Sequence, residues 1–184
     1  MRIKNRVGII AFTLIVAALV IVPVALAGKF HFNTINIGLG NSLVLTGDLA
    51  GLGNEVAEVQ FIATGSVTAM CQNPGGKQAP GRNPISVEVE QKIVYTTDSN
   101  GKVQVLVVAP DPTAPGFEPS PTPKDAGCPN GKWTVVDIID GSTDWTAAQI
   151  LVLDEAGVIQ IDQSYACTTT FEGGQAVDVT CQEV

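Results

Sequence analysis

One histidine occurs in the 184 residues, His31, and that scarcity excludes a good deal of chemistry. A Ser-His-Asp or Cys-His nucleophile would have to use it. It stands near the N-terminal edge of the chain, away from any segment expected to form a pocket. A metal centre built on several histidines is impossible within one chain. Cysteine is sparse too, and Cys71, Cys128, Cys167 and Cys181 contain no C-x2-C knuckle, which argues against a four-cysteine zinc site. Gly75-Gly76-Lys77 lies among prolines and lacks the strand, helix and Ser/Thr of a phosphate-binding loop. No Asn-x-Ser/Thr sequon occurs. Basic residues number 10 against 18 acidic. Such a surface repels phosphate backbones and anionic headgroups, so nucleic acid is not an expected partner. Beyond residue 27 there is no long helical stripe and no second long apolar segment.

What is present begins with a basic, then apolar, start. Arg2, Lys4 and Arg6 precede a run from Val7 to Val22 interrupted only by Gly8 and Thr13. Pro23 and Val24-Ala25-Leu26-Ala27 follow, with small residues at Ala25 and Ala27. This is the signal-peptide pattern, with cleavage expected after Ala27. The alternative is an uncleaved anchor, because Val7 to Leu26 just reaches the ~20 residues of a span. Membrane association is expected only in that case. Removing Arg2, Lys4 and Arg6 takes the formal net charge from −8 to −11. The domain plan is then a signal at 1–27, an N-terminal arm or first edge strand at 28–41, and one domain at 42–184.

Alternation dominates that domain. Across Ser86 to Tyr95, Val87, Val89, Ile93 and Tyr95 share one face while Glu88, Glu90 and Lys92 share the other. Period two with a wet outer face reads as a half-buried strand. Similar segments lie near 35–37, 42–49, 56–64, 66–72, 103–109, 132–139, 146–153, 158–170 and 176–183. Turn signals separate them, including Gly51-Leu52-Gly53-Asn54, Asp98-Ser99-Asn100-Gly101, Asp154-Glu155-Ala156-Gly157 and Gly173-Gly174. Asn100-Gly101 suits a tight hairpin because both residues tolerate positive φ. The expected fold class is all-β: an antiparallel, Ig-like β-sandwich of about eight to ten short strands.

An even cysteine count in an exported chain predicts two disulfides. Cys167 and Cys181 lie symmetrically about residue 174, so a hairpin with a three-residue loop at 173–175 would oppose them. Opposed Cβ atoms lie ~4.5–5.5 Å apart, within reach of a disulfide. Cys71 and Cys128 remain as the second pair, among three possible connectivities. Each bond is worth ~3–5 kcal/mol by loop-closure entropy.

Two stretches resist strand assignment. Residues 73–85 carry three prolines and three glycines, and residues 110–131 carry seven of the 11 prolines. Proline removes backbone donors, so both are expected as surface loops. A Cys71–Cys128 bond would tie them together at one end of the domain. Ser120-Pro121-Thr122-Pro123 is a candidate for O-linked sugar.

The ordered motifs Gly51-Leu52-Gly53-Asn54, Ala63-Thr64-Gly65, Cys71-Gln72-Asn73-Pro74-Gly75-Gly76, Ala79-Pro80-Gly81-Arg82-Asn83-Pro84 and Ala126-Gly127-Cys128-Pro129-Asn130 with Trp133 carry a resemblance. Over roughly residues 42–140 the chain resembles small secreted β-domain proteins of bacteria and fungi, a group without an established function. The resemblance implies a secreted β domain and a Cys71–Cys128 pair. It carries no catalytic residue across, and Cys167 and Cys181 lie outside it.

Function is then bounded rather than named. Asp137, Asp140 and Asp144 cluster around Gly141, with Trp133 and Trp145 near in sequence. Paired carboxylates with stacking aromatics would suit a hydrolase acting on polysaccharide. The same aspartates, with Asp154, would suit calcium in an extracellular setting, though no D-x-[DN]-x-[DN]-G loop is present. The plainer reading makes Asp140-Gly141-Ser142 a turn and the tryptophans core residues. The expectation is therefore a non-enzymatic protein without an obligatory cofactor, secreted or at the cell surface. It would contact other proteins or surface glycans through the two loops, at Asn73, Gly75, Gly76, Arg82 and Phe117. The alternative is self-association into a filament, with Phe30, Phe32, Ile35 and Ile37 of the arm adding a strand to a neighbour's sheet.

Overall fold

The computed structural model describes residues 30–53, 55–115 and 121–184. The expected signal at 1–27, together with Gly28, Asn54, Phe117 and Ser120, lies outside the described residues. Among those described there are strands and no helix. In chain order they are β1 (His31–Leu39), β2 (Leu43–Ala50), β3 (Val56–Val67), β4 (Ala69–Gln72), β5 (Gln78–Pro80) and β6 (Ile85–Thr96). Then come β7 (Lys102–Val108), β8 (Thr134–Ile138), β9 (Asp144–Leu153), β10 (Ile159–Glu172) and β11 (Gln175–Glu183).

Alternation explains why these segments extend. In β3 every second residue is buried, including Ala57, Val59, Phe61, Ala63 and Val67. In β6 Val87 and Val89 are buried while Glu88 and Glu90 face water. All strand pairs are antiparallel. They form a three-stranded sheet ordered β1-β2-β7, a five-stranded sheet ordered β11-β10-β9-β3-β6, and a small sheet ordered β5-β4-β8.

The first two sheets share one core. Leu43, Leu45, Leu49, Val105 and Val107 come from the three-stranded sheet, and Val59, Phe61, Ile150 and Val152 from the other. Each fully buried side chain of this size contributes roughly 1.5–3 kcal/mol relative to exposure. Trp145 is buried in the same cluster. The sheet edges also come together, β1 beside β11 and β7 beside β6. At the second junction the Tyr95 hydroxyl donates to the Leu106 carbonyl at 2.7 Å and accepts from the Leu106 amide at 3.0 Å. One side chain thus satisfies both backbone groups of Leu106, a residue of the edge strand β7.

Three tight turns share one chemistry. Asp98, Asp154 and Asn73 each accept, through the side-chain Oδ1, the amides two and four residues on. A glycine three residues on then takes positive φ: Gly101 at 67°, Gly157 at 77° and Gly76 at 80°. The short carboxylate or amide closes the turn, and the glycine turns the chain into the next strand. Only Gly101 of the Asn100-Gly101 pair has positive φ, so the expected use of both residues is corrected.

The chain ending in β10 and β11 differs from expectation in a smaller way. The turn has two residues, Gly173 and Gly174, both with positive φ, and not three. A register shift after Thr170 then inserts one extra residue, Val177, in β11. The two-residue turn and the bulge together restore the alignment that opposes Cys167 to Cys181.

The Pro/Gly-rich stretches are less irregular than their composition predicts. Gln78–Pro80 forms β5, paired with β4. Pro80 lies on an edge strand, where a missing N–H disrupts no second ladder. The stretch from 110 starts anchored: the Ala109 amide donates to the Leu43 carbonyl, the Ser42 hydroxyl donates to the Pro110 carbonyl, and Pro112 and Thr113 are buried.

Candidate functional site

The two stretches meet at one end of the molecule. Cys71 and Cys128 form a disulfide with Cα atoms 5.8 Å apart. Cys71 is buried with Ala69 and Ala126 in a second, smaller core, against which Ile85, Cys128, Trp133, Val135 and Ile138 pack. Backbone bonds cross between the stretches: Arg82 to the Gly127 carbonyl and Asn83 to the Ala126 carbonyl. Gly81 donates to Ala69 and lies so close to the Ala126 carbonyl that a Cβ would overlap it. The motif glycine therefore has a packing reason. Residues 122–128 form a tight turn in which Ala126 donates to Thr122 and Cys128 to Pro123, with Gly127 at φ 64°.

This end presents a cleft of about 460 Å³ bordered by Thr122, Pro123, Lys124, Cys128, Asn130 and Gly131. Lys124 and Asn130 on its border are exposed, as is Arg82 on the other stretch. Asn73 has another duty, because its side-chain oxygen closes the β4–β5 turn. Gly75 and Gly76 belong to that turn, and Gly76 is needed there for its positive φ.

The second disulfide joins Cys167 and Cys181, whose Cα atoms stand 4.1 Å apart across the β10–β11 ladder. Among the described residues no cysteine is free. Two disulfides point to an oxidising compartment such as the extracellular space.

The remaining expected sites are dispersed. Asp137 lies in β8 and Asp140 in the following turn, both exposed, while Asp144 opens β9. Among the described residues no three of His, Cys, Asp and Glu converge as metal ligands. Asp154 is occupied by its turn and by the Gln160 side-chain amide at 2.7 Å. Those hydrogen bonds, that from the Val158 amide foremost, hold its carboxyl below the ordinary range. The Lys102 amide, foremost, does the same for Asp98. Burial pushes the Tyr95 hydroxyl up, against the opposing effect of the Leu106 backbone bond. Trp145 is buried in the main core and Trp133 packs on the smaller one, so they do not form a stacking pair with the aspartates.

The N-terminal arm is part of the molecule's own sheet. Phe30 and Ile37 are buried in the main core, and Phe32 and Ile35 pack against it. β1 pairs with β2 along its length, with a register shift between Phe32 and Thr34.

A further surface, which touches the arm at Ile35, also carries openings. Two adjoining clefts of about 630 and 390 Å³ share Asp48 and Gln104 on the outer face of the β1-β2-β7 sheet. Alternation in β2 and β7 signals that Asp48 and Gln104 face outward. That β7 would lie beside β2 and bring Gln104 opposite Asp48 was not readable from spacing. Among the described residues no helix is long and apolar enough to cross a membrane.

Compared with protein-family models, curated proteins and solved structures, the chain matches none.

Proposed function

We propose that the chain is an exported, non-enzymatic binding protein with an Ig-like sandwich, acting in the extracellular space or at the cell surface. It engages other proteins or surface glycans through the end built from residues 73–85 and 121–131. The observation that supports this reading is the construction of that end. A disulfide with its Cys71 half buried, a small core of its own and cross-bonded backbone hold two proline-rich segments against each other. Binding residues on loops gain affinity when the scaffold removes their freedom beforehand. Arg82 and Lys124 add cationic contacts to a molecule that is otherwise acidic. The test is retention of the labelled protein on envelopes of the cells that make it. Replacing Arg82, Lys124 and Asn130 with alanine should release it, with both disulfides still formed. Unchanged retention would remove the loop end from consideration. The intact mass of protein recovered from the medium checks export and cleavage after Ala27.

A further inference from the structure

We infer that the outer face of the β1-β2-β7 sheet is a binding trough for a neutral, hydroxyl-rich polysaccharide, separate from the disulfide-tied end. The register builds it in rows. Thr34, Asp48 and Gln104 align across the three strands, and Asn36, Thr46 and Leu106 align in the next outward row. The two adjoining clefts run over these rows and share Asp48 and Gln104.

The chemistry of the face sets the ligand class. Asn33, Thr34, Asn36, Thr46, Thr96 and Gln104 line the clefts with amides and hydroxyls, which both donate and accept hydrogen bonds, as sugar hydroxyls do. The Thr34 hydroxyl donates to Asp48 Oδ2 at 3.0 Å, which orients the carboxylate and leaves its other oxygen for an incoming hydroxyl. Leu106, exposed at the trough's margin, offers apolar surface to the C–H face of a sugar ring.

Charge distribution separates this face from ordinary solvated sheet. The outer face of the five-stranded sheet carries Glu58, Glu88, Glu90, Lys92, Asp162 and Asp178. On the β1-β2-β7 trough the charges are Asp48 with Asp98 and Lys102 at one end. Asp48 is the one carboxylate in the two aligned rows, so hydrogen-bonding groups and not charges make up most of them. Acidic polymers are disfavoured by the net charge, and the amides and hydroxyls of the lining match a neutral one. The clefts are open and run along strands, so they suit a stretch of an extended chain and not an enclosed single sugar.

The test uses the protein recovered from its producing cells, with both disulfides intact. It is passed through gels containing neutral glucans, mannans, galactans or chitin fragments, with polygalacturonate as the acidic contrast. Retardation by at least one neutral polymer is expected, and weak or none by polygalacturonate. Gln104→Ala with Asn36→Ala should weaken it by about tenfold or more, as expected for two lost hydrogen bonds. Asp48→Asn, which keeps the shape and an acceptor, checks that the fold survives and should bind more weakly than the parent. Glu88→Gln, on the outer face of the other sheet, should bind these polymers unchanged, which separates this trough from polar sheet surface at large. No retardation by any neutral polymer overturns the inference. So does binding that the Glu88 variant loses and the trough variants keep.

Discussion

Replacing Cys71 and Cys128 together with alanine should split the unfolding of this protein into two parts. The bond closes a separation of 57 residues, for which loop-closure entropy gives about 4 kcal/mol. The bond between Cys167 and Cys181 closes 14 residues, for which the same relation gives about 3 kcal/mol. The logarithm makes these totals similar, so the distinguishing feature is location. Cys167 and Cys181 brace a hairpin that a Gly-Gly turn and a ladder with one bulge already close. Cys71 and Cys128 hold a small cluster whose three buried members are Ala69, Cys71 and Ala126. Ile85, Trp133, Val135 and Ile138 pack against it but are only partly buried, so the apolar area left to hold that end once the bond is gone is small. The main core does not use Cys71 or Cys128. Urea unfolding should therefore show a loss of about 4 kcal/mol at most in the Cys71/Cys128 variant. Hydrogen exchange followed by mass spectrometry gives the place. Amides of Gly81, Asn83, Ala126 and Cys128 should lose protection, while those of β3 and β9 keep theirs. The Cys167/Cys181 variant should lose protection in β11 first. Equal loss in β3 and at Gly81, or a change under about 1 kcal/mol, would refute the idea that this bond holds a separate end.

Gly65 lies where β3 shifts register against β9, and a Cβ there would stand 2.5 Å from the Asp144 carbonyl oxygen. Gly65→Ala should lower stability by about 1–3 kcal/mol in thermal or urea unfolding, because backbone on both sides resists the shift; an unchanged midpoint would contradict that geometry. Tyr95→Phe keeps the ring and removes both bonds to Leu106, so it should cost about 1–2 kcal/mol and raise self-association through the β7 edge, seen by light scattering. The Asp98 and Asp154 carboxyls titrate below their ordinary value of 3.8 in the folded chain. Their contribution is present above 3.8 and is lost as pH falls through the lower folded values. Asp98→Asn with Asp154→Asn should flatten the acid limb of the stability curve while preserving both turns, since Asn73 closes the same turn as an amide. An acid limb as steep as the parent's would place that dependence elsewhere.

Much of the local structure was legible because it is set by neighbours in the chain. The alternation in 86–95 depends on residues two apart, and β6 spans it with Val87 and Val89 inward. The turns at Asp98 and Asp154 depend on a side chain and a glycine three residues apart. The cross-strand pair at Cys167 and Cys181 follows from symmetry about a glycine turn, although a bulge was needed to complete it. Composition misled at β5 because proline content says nothing about whether a segment lies on an edge, where proline is tolerated. It misled again at Pro112, which is buried just beyond the point where Leu43 and Ser42 hold Ala109 and Pro110. The arm was ambiguous for the same reason: apolar residues at 30, 32, 35 and 37 fit a neighbour's sheet as well as the chain's own.

The sequence by itself determined that the described chain would be extended, antiparallel, cross-linked and turned at identifiable glycines. Alternation states which residues face inward, and it does so for each strand alone. Only the tertiary structure decided that β3 lies between β6 and β9, that β2 lies between β1 and β7, and that the sheet edges meet at Tyr95. Backbone hydrogen bonds are chemically alike along every strand, so they do not name their partner. The choice of neighbours is made by the packing of whole faces, and with it the placement of Asp48 and Gln104 in one trough and of Arg82 and Lys124 at one end.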